Sequence, residues 1–309
     1  VKLASLMRRT ILAAAGVPWV SRTVRACGLR LGASRFVAAE TLEETVPKIR
    51  RLNEQGLLVT LDYLGESVQD RELAKAAAVM VLRMLEQIHD CRLNCHVSVK
   101  LTQLGLTLDE SLCRELMVTI VEAAKEYGNF VRIDMEDSSV TGRTIKLFKE
   151  LLSIFGPEAV GLVLQAYLYR SAADAEELGR LGANIRFVKG AYLEPPQIAF
   201  PRKADVNANY LRLVQGHMKR GAYTAVATHD PRMIEAVKRF AREQQMPNDR
   251  FEFQMLYGIA EGLQGELVRQ GYRVRVYTPF GREWYPYFTR RIAERPANLG
   301  FLLKNLLRR

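Results

Sequence analysis

The sequence predicts an α/β fold, a closed (βα)8 barrel forming one domain, and three observations carry that reading. Eight short β-branched runs alternate with longer segments of helical period from residue 57 to the end. No linker rich in glycine, proline or serine breaks the alternation. The last residues of the runs are polar, and a barrel of this kind keeps its chemistry at the C-terminal ends of its strands.

Residues 1–55 are expected to form a helical segment packed on the barrel of residues 56–309. Within it, Ile11–Val20 has the outline of a signal peptide, but Pro18 and Trp19 interrupt it, so a pair of short helices is expected instead. The strands are expected at 57–63, 95–101, 130–136, 160–167, 185–192, 223–229, 251–256 and 273–279. Between them, segments such as 69–90, 109–127 and 205–221 place apolar residues at i, i+3, i+4 and i+7, as helices lying on a sheet do. An open doubly wound sheet would need five or six strands and a glycine-rich first turn, and no G-x-G-x-x-G or P-loop follows any strand.

The chain has 309 residues, 48% hydrophobic and 26% charged, enough to bury a large core. Its net charge of +11 is unevenly placed: residues 1–35 carry +7 and residues 274–309 carry +6, leaving −2 for the rest. Basic ends on a balanced body favour local contact with an anionic surface such as membrane headgroups. No apolar run approaches the roughly 18–20 residues that span a bilayer. Four cysteines without paired C-x-x-C spacing suit a reducing compartment, and no metal-ligand spacing appears.

The strand ends hold the candidate chemistry: Asp62 and Tyr63 with Glu66 beyond, Ser98 and Lys100, Asp134 and Glu136, Gln165 and Tyr167, Lys189 and Tyr192, Thr228 and His229, Gln254, and Tyr277. Burying Lys100 and Asp134 there costs several kcal/mol unless they are paired, so a mutual or substrate-mediated pairing is expected. After the eighth strand, Tyr287, Arg290, Arg291 and Glu294 fall on one helical face. Such a stripe packs poorly on a sheet, so this helix is expected over the barrel mouth with its two guanidiniums turned inward. Adjacent guanidiniums suit a carboxylate or phosphate, which they bind through forked hydrogen bonds. Two other chemistries remain open at this point. A lysine at a strand end, Lys100 or Lys189, is also what a Schiff-base lyase uses. The positive charge could serve nucleic acid, although no RNA- or DNA-binding pattern is present.

The segments LDYLGE (61–66), SVKLTQLG (98–105), RIDME (132–136), LQAYLYR (164–170), RFVKGAY (186–192), ATHD (227–230), FEFQMLYG (251–258) and YFTRRIAERPAN (287–298) resemble, in order and spacing, the motifs of the proline dehydrogenase family. The likeness covers nearly the whole chain and is to the monofunctional bacterial type. It implies a distorted barrel holding FAD, oxidation of L-proline to Δ1-pyrroline-5-carboxylate, and electron delivery to a membrane quinone. By the same resemblance, Asp134 and Arg186 are the active-site acid and the arginine beside the flavin. Lys100, Arg290 and Arg291 bind the proline carboxylate, while Tyr192, Leu256, Tyr277 and Tyr287 wall in its ring. Glu66 gates the site through Arg290. Met135, Gln165, Lys189, Gly190, Ala191, Thr228, His229 and Glu294 contact the cofactor. A cytoplasmic enzyme, peripheral on the inner face of the cell membrane and without a nucleic-acid partner, is the location this implies.

Overall fold

A computed structural model of the chain describes residues 33–294. The short helices expected before residue 33 lie outside the described residues. Among those described, eight parallel strands close into a barrel in sequence order, β1 (Leu58–Tyr63) pairing with both β2 (Cys95–Val99) and β8 (Val274–Phe280). Between these run β3 (Val131–Ile133), β4 (Val160–Gln165), β5 (Asn184–Val188), β6 (Thr224–Ala227) and β7 (Phe251–Leu256). The ring of helices follows the same order: α1 (Leu42–Glu54) before β1, then α2 (Arg71–Asp90), α3 (Glu110–Glu126), α4 (Ser138–Phe155), α5 (Ser171–Arg180), α6 (Lys203–Lys219), α7 (Pro231–Glu243) and α8 (Glu261–Arg269) after β1 to β7. α9 (Trp284–Glu294) follows β8. No helix of the described residues is long and apolar enough to cross a membrane.

Successive strand residues face opposite sides, and the sequence uses this to separate two environments. Val59, Leu61, Val97, Val131, Ile133, Leu162, Ile185, Phe187 and Phe253 point outward and form the apolar core with the helices. Many of the alternate positions are polar and bond to one another across the barrel, as Ser98 does to Asp134 and Arg275 to Glu252. Gly161 on β4 makes room for this interior: a Cβ there would lie 2.5 Å from a guanidinium nitrogen of Arg132.

The loops that leave the C-terminal ends of the strands are pinned where the helices begin. Asp70, Asp109, Asp137 and Asp230 each accept a hydrogen bond from a backbone N–H in the first turn of the helix that follows, satisfying donors that have no intrahelical partner. Several strands end earlier than their β-branched runs suggest. After β2 the chain turns at once, Gln103 N donating to Lys100 O and Leu106 N to Leu101 O. After β3, Glu136 leaves the sheet to accept the Thr102 N–H at 3.1 Å. β5 stops before Gly190, whose φ of +115° is open chiefly to glycine.

α9 is buried on two sides. Trp284, Tyr285, Phe288 and Ile292 form a second core with Phe36, Val37 and Leu64. Residues 38 and 39 bond to the end of β8, Ala38 N to Pro279 O at 2.8 Å and Gly281 N to Ala39 O at 2.9 Å. These contacts hold α9 beside the mouth of the barrel.

Candidate active site

Asp134, just past β3, is the hub of a buried network. Its Oδ1 accepts from Ser98 Oγ at 2.7 Å and from Arg186 Nη1 at 2.9 Å. Its Oδ2 accepts from the Tyr277 hydroxyl at 2.8 Å and from Lys100 Nζ at 3.4 Å. Lys100 Nζ donates to Asp62 Oδ1 at 2.7 Å, and the Arg186 guanidinium lies 5.4 Å from the centre of the Tyr277 ring. Two carboxylates therefore face two cations, which offsets the several kcal/mol that each buried charge costs alone.

The electrostatics separate the two acids. Burial would raise the Asp134 carboxyl, but Lys100, Arg186 and the hydroxyls of Ser98 and Tyr277 hold it below the usual carboxylate range. Asp62 is pushed up to about 6, by burial first and by the neighbouring Asp134 charge, against the pull of Lys100. Lys100 stays protonated: burial opposes its charge, and the two aspartates more than restore it.

Above this network, α9 supplies the lid expected from its polar stripe. Arg290 forms a forked ion pair with Glu66 from the loop after β1, with Nη1 and Oε2 at 3.1 Å. Burial lowers the Arg290 pKa and Glu66 raises it, with a net rise. The Arg290 guanidinium lies 6.0 Å from the centre of the Tyr192 ring, and that of Arg291 lies 5.3 Å from the Tyr287 ring. Tyr277 packs partly buried against the cluster containing Tyr287. At the end of β7, the Leu256 N–H donates to His229 Nε2 at 2.9 Å, so neutral His229 carries its proton on Nδ1.

The remaining expected residues line the ends of β3 to β6. Gln165 Nε2 approaches Met135 O at 3.5 Å, and Lys189 pairs with Asp230 at 3.0 Å. Asp230 N donates to Thr228 Oγ1 at 3.1 Å. Ala191 follows Gly190 in the partly exposed loop after β5. The side chain of Glu294 lies outside the described residues. Asp62 and Ser98 stood among the polar strand ends without an assigned role, and their partners appear only once the barrel closes. Asp230 lies within ATHD and has no role in the sequence reading; an aspartate before Pro231 is a helix-cap signal, and the same carboxylate also holds Lys189.

With this geometry in hand, the comparisons with known proteins are informative. The family model described as Proline dehydrogenase matches residues 45–304. A proline dehydrogenase of Deinococcus radiodurans is 45% identical over 307 residues, covering 98% of each chain. Proline dehydrogenase 2 of Bacillus subtilis is 42% identical, covering 94% of this chain and 95% of its own length. Among solved structures, proline utilization A from Bdellovibrio bacteriovorus, inactivated by N-propargylglycine, shares the fold with a TM-score of 0.82 at 24% identity. That match covers 94% of this chain and 36% of the larger protein. The barrel, the ordered motifs and the likeness over nearly the whole chain agree: the chain belongs to the proline dehydrogenase family, as an oxidoreductase acting in proline degradation.

Proposed function

We propose that the chain oxidises L-proline to Δ1-pyrroline-5-carboxylate with FAD as its cofactor and passes the electrons to a membrane quinone. The observation that carries this reading is the pairing of a buried Lys100–Asp134–Arg186–Tyr277 network with two adjacent arginines at the same mouth of the barrel. Lys100, Arg290 and Arg291 hold the substrate carboxylate through charge-assisted hydrogen bonds, and Tyr192, Leu256, Tyr277 and Tyr287 orient the ring. Glu66 occupies Arg290 until substrate arrives. The tyrosines and α9 exclude water from the reacting carbon, and Asp134 fixes Lys100, Arg186 and Tyr277 in place.

The residues around the network fit a flavin. Arg186 Nε and Nη2 and Gln165 Oε1 are buried and make no hydrogen bond among the described residues, so donors and an acceptor are available to a polar ring. Gly190 packs its backbone on the Tyr167 ring, where a Cβ would lie 2.3 Å away, and so fixes the turn that carries Lys189 and Ala191. Met135, Gln165, Arg186, Lys189, Gly190, Ala191, Thr228, His229 and Glu294 would hold the cofactor, which supplies the hydride acceptor when bound. Arg186 and Lys189 would supply positive charge to a bound flavin and would favour its reduced, anionic form.

Residues 56–309 act as the catalytic unit, and residues 33–39 pack on it through Phe36 and Val37. The basic ends bring the enzyme to the anionic inner face of the membrane, where the quinone resides. Purified protein tests the reading directly: it is expected to be yellow, and its flavin absorbance to bleach anaerobically with proline. Colourless protein that is trapped by borohydride with a carbonyl substrate would replace the reading with Schiff-base chemistry at Lys100 or Lys189. Equal binding to anionic and neutral liposomes would remove the membrane step.

A further inference from the structure

The barrel has a second cavity, of about 500 Å3, at the N-terminal ends of its strands and so opposite the network of Asp134. Its wall includes Arg92, Arg273, Arg275, His89, His96 and Tyr127, and neither an aspartate nor a glutamate lines it. The charge beneath is unbalanced as well. Arg275 donates to Glu252 Oε1 at 2.8 Å and to Val59 O at 2.8 Å. The nearby Arg132 guanidinium is buried and bonds to uncharged oxygens: Leu162 O at 3.0 Å, Asn184 O at 2.7 Å and Asn184 Oδ1 at 2.6 Å. Burial, aided by the charges of Arg186 and Arg275, pulls Arg132 down to about 9 even though Glu252 opposes this. Arg132 and Arg275 thus share Glu252 as their neighbouring carboxylate.

At the rim, Arg92 and Arg273 form no ion pair among the described residues, and both are exposed. Arg92 also occupies an unusual backbone position. It stands two residues past the end of α2 with φ +49°, where the turns after α1, α3, α5, α6 and α8 place Gly56, Gly128, Gly182, Gly221 and Gly271 and the turn after α7 places Gln245 at φ +51°. A left-handed residue at a helix C-terminus is ordinarily glycine, so an arginine is held there against a conformational cost. The His89 and Tyr127 rings, 4.9 Å apart at the same rim, add an aromatic surface.

We propose that this cavity binds a small anion carrying carboxylate or phosphate groups, held by Arg92 and Arg273 over the buried Arg275–Glu252 pair, at the end of the barrel opposite the proline site. Its volume lies within the range of roughly 300–1,000 Å3 typical of small-molecule pockets. Guanidiniums bind both groups through the same forked geometry, and a site with no competing carboxylate in its wall does so without local repulsion.

Citrate and inorganic pyrophosphate serve as the two probes, each added to the holoenzyme at an ionic strength matched with sodium chloride. A saturable rise in Tm of a few degrees over the chloride control is expected from at least one of them, and which one acts identifies the recognised group. The rise is expected to disappear in Arg92→Gly/Arg273→Gln and to persist in Arg291→Met. Arg92→Gly suits the left-handed turn, so the double variant keeps its fold. No rise beyond chloride with either anion overturns the proposal, as does a rise that survives in the double variant. A rise that Arg291→Met removes belongs to the upper site and overturns it as well.

Discussion

Asp134→Asn isolates the charge at the centre of the buried network while keeping the shape of the side chain. Wild-type Asp134 receives four hydrogen bonds, two of them from Lys100 and Arg186. An asparagine can still accept from Ser98 or Tyr277, but the two cations then face Asp62 alone. Removing one partner of a buried pair costs about 3–5 kcal/mol, and the surviving Lys100–Asp62 contact argues for the lower end, ~3 kcal/mol. With an unfolding entropy of about 2.1 cal/mol/K per residue over 309 residues, that loss lowers Tm by about 5 °C. The pH dependence has a definite sign. The Asp134 carboxyl is held below its usual range in the folded chain, so its stabilisation is present above the ordinary value near 3.8 and is lost as pH falls through the lower folded value. Scanning calorimetry of wild type, Asp134→Asn and Ser98→Ala between about pH 3 and 8 measures this. The gap for Asp134→Asn is expected to persist from about pH 8 down to about pH 4 and to narrow only below it, and Ser98→Ala is expected to lose about 1 kcal/mol throughout. A Tm within about 1 °C of wild type for Asp134→Asn at neutral pH, or a gap that keeps widening below about pH 4, refutes the account.

Three further outcomes follow from other parts of the molecule. Arg291→Met is expected to retain flavin and to raise the proline KM about 10–100-fold, the scale of a charge-assisted hydrogen bond of about 1.5–3 kcal/mol; steady-state kinetics with an unchanged KM would remove Arg291 from carboxylate binding. Gly190→Ala places a Cβ 2.3 Å from the Tyr167 ring at a φ of +115° and is expected to lose flavin on gel filtration, so a wild-type ratio of flavin to protein absorbance contradicts the close approach. His217 is buried neutral with its Nδ1 2.8 Å from Thr224 Oγ1, and burial pushes its pKa down to about 4. Its contribution is therefore present above about pH 6.5 and is lost as pH falls toward 4, by up to ~3 kcal/mol at about 1.36 kcal/mol per unit. Denaturant titrations across that window should show a shallower acid slope for His217→Gln, and an unaltered slope assigns the acid sensitivity elsewhere.

The barrel was legible in the sequence because its strands and helices differ in local period. The β-branched runs at 57–63 and 251–256 fall within a residue of β1 and β7, and the helical segment 69–90 brackets α2. Strand ends were less legible. Where β3 stops is decided by Glu136 turning to Thr102, a residue on another strand's loop. The site residues could be listed because polar groups at the ends of apolar strands stand out, and because Arg290 and Arg291 interrupt what would otherwise be an apolar helical face. The rim arginines of the lower cavity stood out by neither criterion. Arg92 and Arg273 sit in the turns before β2 and β8 and read in the sequence as solvated charges.

By itself, then, the sequence determined the order of elements, the end of the barrel that carries the candidate chemistry and the residue types gathered there, since each follows from periodicity and polarity within a few neighbouring residues. Pairing was decided only by the tertiary structure. Lys100 meets Asp62 as well as Asp134, Arg290 meets Glu66 from 224 residues away, and Arg132 is left among carbonyl oxygens. The physical reason is that a buried charge takes its energy from groups within a few ångströms, and closing the barrel brings strands far apart in the chain to that distance.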